Sequence, residues 1–110
     1  MMRLEYAGGT ILTGSLIADA VLRYAAALSD ADLATPLDVP GRTNEGVEGR
    51  FQILLGPASQ IMVEPTDDPG EIVDAEFLAE TNRLIDVLVA PPNVEPTDER
   101  ITEGSDDEFA

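Results

Sequence analysis

The chain has 110 residues, 22 of them Asp or Glu against six basic residues, all arginine, for a formal net charge of −16. It contains no His, Cys, Lys or Trp. Those absences exclude histidine-based triads, thiolate metal sites, disulfides, Schiff bases and the lysine of a phosphate loop.

Residues 3–13 read as a β-hairpin: Leu4 and Tyr6 alternate with polar neighbours, Gly8-Gly9 supplies a two-residue turn, and Thr10 to Thr13 returns. Gly14 stops the strand and Ser15 stands as N-cap of a helix over 16–28, where Ile17, Val21, Tyr24 and Leu28 recur at helical spacing. Asp19 and Arg23, four apart with the acid first, suit its exposed face. A second capping pattern at Ser29 to Asp32 allows a further turn as far as Ala34. Pro36 breaks the helical run, so 35–39 is predicted as a short edge strand and 40–49, with three glycines, as a loop.

Residues 50–55 and 61–64 are the strongest strand signals. Joined by Gly56-Pro57-Ala58-Ser59, they are predicted to pair as a hairpin whose two faces both carry apolar groups, Leu54 opposing Phe51, Ile53 and Leu55. A turn follows over 65–70, then a short strand at Ile72-Val73. A second helix is capped by Asp74 and runs through Val89, with Phe77, Leu78, Thr81, Leu84, Ile85 and Leu88 as its apolar stripe. Pro91-Pro92 ends it. Seven acids and one arginine in the remainder give the composition of a disordered acidic tail. The expectation is one α+β domain over 1–90, an antiparallel sheet of about five strands with two amphipathic helices in the order ββαβββα, and a tail over 91–110.

Few residues offer chemistry. Carboxylates are the only abundant ionisable groups, and their commonest role is a solvated surface. Asp30 and Asp32 alternate as calcium ligands would, but Thr35 stands where that loop needs glycine. The segment carrying Arg42, Thr43 and Arg50 sets guanidinium groups beside glycines and a hydroxyl, a weak anion-loop candidate in a spacing that matches no phosphate motif. Ser15 and Ser59 have no base to activate them. No catalytic residue, metal or cofactor is expected.

An acidic surface repels phosphate backbones and anionic lipids, so neither nucleic-acid nor membrane binding is expected. A start without a basic, apolar leader points to the cytoplasm. Three function classes follow. The first is a non-enzymatic protein–protein interaction module, self-associating as a homodimer with Leu54 and Met62 at the interface. The second is an acidic inhibitor (immunity protein, antitoxin or DNA mimic) that blocks a basic site. The third, a carboxylate-based divalent-metal binder or enzyme, has no positive feature behind it. A mimic needs its acids gathered on one face, which separates the second class from the first.

Overall fold

The computed structural model describes residues 1–90; the predicted acidic tail lies outside them. The elements are β1 (Met2–Tyr6), β2 (Gly9–Thr13), α1 (Ser15–Asp30), β3 (Thr35–Arg42), β4 (Glu48–Leu55), β5 (Ile61–Pro65) and α2 (Ala75–Val89). All pairings are antiparallel, in one five-stranded sheet of order β4-β3-β2-β1-β5. The fold class and the ββαβββα order are those expected from the sequence.

Local chemistry accounts for most boundaries. The β1–β2 turn is Ala7-Gly8 rather than Gly8-Gly9, since both residues have positive φ (50° and 83°) and Tyr6 pairs with Gly9. That is the mirror-type turn whose twist matches the strands it joins. Helix α1 starts one residue earlier than predicted. Gly14 is its N-cap, and Ser15 lies inside the helix, where its N–H and hydroxyl donate to the Glu71 carboxylate. The helix ends at Asp30 because Asp32 turns left-handed (φ 58°) and Leu33 N–H returns to the Leu28 carbonyl, so the extra turn to Ala34 does not form. Asp74 caps α2 as expected, its Oδ1 accepting from Phe77 N–H at 2.9 Å.

Three strand expectations fail, the last of them at Ile72-Val73. β3 is neither short nor an edge strand: it runs through Pro40 to Arg42, between β2 and β4. The loop shrinks to 43–47, and Gly41 and Gly49 belong to strands. The prolines fit because Pro36 and Pro40 have the same parity. With no N–H to give, they require the odd residues Thr35, Leu37, Val39 and Gly41 to carry the ladder to β4. Their own nitrogens face β2, which meets β3 only at Leu12↔Arg42. Consistently, the Thr13 hydroxyl donates to the Pro40 carbonyl across that gap at 2.7 Å.

The second failure is the β4–β5 hairpin. β4 pairs with β3 and β5 with β1, so these strands, neighbours in sequence, are the two opposite edges of the sheet. In a flat sheet four strand spacings would hold them about 19 Å apart. The connecting segment 56–60 contains a turn (Ser59 N–H to the Gly56 carbonyl) and is too compact to cross that distance easily. Tyr6 on β1 also donates its hydroxyl to the Leu54 carbonyl on β4, three strands away and beyond a tyrosine's reach in a flat sheet. The sheet therefore curls.

Leu4, Val39 and Leu55 point to the concave side, where they join Ile17, Val21, Tyr24 and Leu28 of α1 and Phe77 and Ile85 of α2 in one core. α2 packs chiefly on α1. Ile72 and Val73 form no strand. Segment 66–74 instead straps the sheet to the helices, its Asp68 and Gly70 carbonyls accepting from the Met1 ammonium at 2.9 and 2.8 Å.

Candidate interaction surface

Strand parity divides the side chains into two sets. The concave face carries Leu4, Tyr6, Ile11, Val39, Phe51, Ile53 and Val63. The outer face carries Arg3, Glu5, Leu12, Arg42, Glu48, Arg50, Gln52, Leu54, Met62 and Glu64. Leu54 and Met62 are thus on one face, 56% and 52% exposed. They stand on opposite edge strands, however, and no hollow is lined by both. The structure brings them to the same side of the sheet without gathering them into one patch.

The Arg42, Thr43 and Arg50 constellation is engaged in structural contacts. Arg42 binds the Asp68 carboxylate, Arg50 binds Asp74 at 2.8 Å, and the Thr43 hydroxyl accepts from Val47 N–H at 3.1 Å to close the loop. Every other arginine among the described residues is also paired: Arg3 with Glu64, Arg23 with Asp19 and Arg83 with Glu80. The Met1 ammonium lies 3.8 Å from Glu71. No cation among the described residues is left to receive an anionic ligand.

Nine carboxylates among the described residues stand outside these pairs. Glu5, Asp38 and Glu48 lie on the outer sheet face, Asp30 and Asp32 at the end of α1, Glu45 and Asp67 in connections, and Glu76 and Asp86 on α2. They are dispersed over the molecule, and no group of three or more among the described residues could hold a metal ion.

Three carboxylates among the described residues are held low: Glu80 by its hydrogen bond from the Arg83 guanidinium on the surface of α2, and Asp68 and Glu71 on the strap. The Gly70 N–H, then the Arg42 guanidinium, hold Asp68 below the usual carboxylate range. The Ser15 hydroxyl and N–H, with the Met1 ammonium adding, do the same for Glu71. Both anchor the 66–74 strap, and neither faces a hollow that could admit a substrate. Tyr24 is pushed up by burial and by Glu80 nearby, as expected of a core phenol.

Two hollows bear on binding. The larger, about 600 Å³, is an open dish between the β1–β2 turn and the start of β5, with Met62 on its rim. The other, about 270 Å³, lies on the concave side between β1–β2 and β4 and is walled by Leu4, Tyr6, Ile11, Phe51 and Ile53. The second is the more selective environment, because it is apolar and adjoins a free strand edge. That edge belongs to β4. The odd residues Phe51 and Ile53 serve the β3 ladder, so the backbone groups of Glu48, Arg50, Gln52 and Leu54 point outward. The Leu54 carbonyl is taken by the Tyr6 and Ser59 hydroxyls. The N–H groups of Glu48, Arg50, Gln52 and Leu54 have no partner among the described residues.

The sequence reading singled out Leu54 and missed this edge. The parity of Pro36 and Pro40 was its only signal, and that signal has meaning only once β3 is known to pair with β4. No family model matches the chain, and neither a curated protein nor a solved structure shows significant similarity to it.

Proposed function

We propose that the domain is a non-enzymatic protein–protein interaction module that self-associates through its outer sheet face. The observation carrying this reading is the exposure of Leu54 and Met62 on the two strands that bound that face. Supporting it, all five arginines of the first 90 residues are spent on internal ion pairs, and Asp68 and Glu71 act as anchors of the fold. The unpaired acids are spread over both helices, three strands and the connections, a distribution that favours this reading over the acidic mimic.

Sedimentation velocity with multi-angle light scattering tests the reading. Wild type is expected to run as a dimer at tens of micromolar, and Leu54→Glu and Met62→Glu each as a folded monomer. A wild type that stays monomeric at several hundred micromolar would overturn self-association. Variants that remain dimeric would move the contact off this face.

A further inference from the structure

We infer that the outer edge of β4 receives an extended, basic segment of a partner protein as an added strand, with alternate apolar side chains entering the hollow beside Phe51 and Ile53. The inference deepens the interaction-module reading and rests on it, by naming the chemistry of the partner.

Three strand edges of the sheet are open to a newcomer, and they are not equivalent. The gap side of β3 presents Pro36 and Pro40, which have no N–H to offer. The outer side of β5 is guarded in the same way. Tyr6↔Gly9 closes a two-residue turn, so Met2, Leu4 and Tyr6 bond to β2 while Arg3 and Glu5 bond to β5. Ile61, Val63 and Pro65 therefore face outward, and Pro65 blunts that edge. β4 is eight residues long, has no proline, and turns four N–H groups outward. Among these edges it alone carries a full row of donors, since a proline interrupts each of the others.

An added strand places alternate residues on opposite faces. On the concave side the newcomer's side chains meet half-buried Phe51 and Ile53 and the hollow of about 270 Å³, room for one or two aliphatic groups. On the outer side they meet Glu48, Gln52 and Leu54, all exposed, with Arg50 already held by Asp74. The first 90 residues carry fifteen acids against five arginines, every one of those arginines paired internally. A segment alternating apolar and basic residues therefore suits the hollow on one side and the net negative charge of the domain on the other, whereas an acidic one is repelled by that charge.

The probe is a capped synthetic peptide alternating arginine and valine over about nine residues, enough to span β4, followed by fluorescence anisotropy. It is compared with a glutamate–valine peptide, with an arginine–valine peptide N-methylated at alternate amides in each of the two registers, and with the variant Gln52→Pro. Gln52 donates nothing to β3, so this variant removes an edge donor while leaving the ladder intact. The expected result is binding of the arginine–valine peptide, weakened tenfold or more by N-methylation in one register, by Gln52→Pro and by exchange of arginine for glutamate. Equal binding of both N-methylated peptides would reduce the contact to charge and overturn the proposal. So would undiminished binding to a Gln52→Pro protein with native circular dichroism. If Gln52→Pro does not fold, the N-methylated peptides on wild type still decide.

Light scattering on the same samples separates the two readings. Peptide binding by a monomeric wild type leaves the strand site standing and removes self-association. A dimer that Gln52→Pro converts to monomers would show the edge to be occupied by a second copy, overturning the peptide as its occupant.

Discussion

Gly14→Ala addresses the contact that joins the 66–74 strap to the start of α1. The backbone conformation there (φ −70°, ψ 154°) suits any residue, so glycine is not required by its dihedral angles. It is required by space: a Cβ at this position would lie 1.9 Å from the Ile72 carbonyl oxygen and 3.0 Å from its carbon. The obstacle is backbone, so no side chain can rotate away and the strap itself must move. Overpacking a well-filled site costs about 1–3 kcal/mol and occasionally more. The upper part of that range is expected, because the strap also carries Asp68 to Arg42, Glu71 to Ser15 and the acceptors of the Met1 ammonium. A loss of about 3 kcal/mol lowers the midpoint of a domain this size by roughly 12–24 °C. Thermal and urea unfolding followed by circular dichroism measure it, with Gly49→Ala as control, since nothing lies within 4 Å of a Cβ there. A Gly14→Ala protein within about 1 kcal/mol of wild type would refute the reasoning, because it would mean that the strap does not press on α1.

Acid should loosen the same region. Asp68 and Glu71 are held below their unfolded values, so their contribution is complete above the ordinary carboxylate range and is lost as pH falls through the depressed folded values. Urea midpoints between pH 6 and 2.5 are expected to fall less steeply in Glu71→Gln than in wild type, and parallel curves would contradict the assignment. Asp74→Ala removes the α2 cap and should cost about 0.5–2 kcal/mol, read from urea unfolding. Asp74→Asn keeps a capping oxygen and loses the Arg50 ion pair, which at this exposure is worth little, so it should recover most of the loss.

What was legible in the sequence is the part that depends on neighbours along the chain. The periodicity of Ile17, Val21, Tyr24 and Leu28 and of Phe77, Thr81 and Ile85 identified both helices and the faces they bury. Asp74 as cap needs only the residues that follow it. The errors share one cause. Whether residues 50–55 pair with 61–64 or with 35–42 depends on what the N-terminal strand does, and a plausible turn at Gly56-Pro57 made the local choice look sufficient. Pro36 reads locally as a breaker and Pro40 as the start of a loop, because a proline's tolerance depends on which side its missing N–H faces, a property of the assembled sheet. The cap that Glu71 supplies to α1 comes from 56 residues away, out of reach of any local pattern. Leu54 and Met62 stood out by residue type, but their separation on opposite edges follows from sheet order alone.

The strand order also bears on how the chain reaches this state during synthesis. Two hairpins, β1–β2 and β3–β4, are local and can form as soon as each emerges. The pairing of β1 with β5 joins residues about 60 positions apart, Leu4 with Val63 among them. Closing a loop of that length costs on the order of 3–4 kcal/mol before any contact offsets it. At about 5–20 residues per second, a ribosome needs roughly 3–12 s to deliver β5 after β1. Through that interval β1 has one bare side, and two nascent chains on one message could pair through it. The high density of carboxylates makes such encounters repulsive, so the net negative charge of the chain also keeps unfinished copies apart.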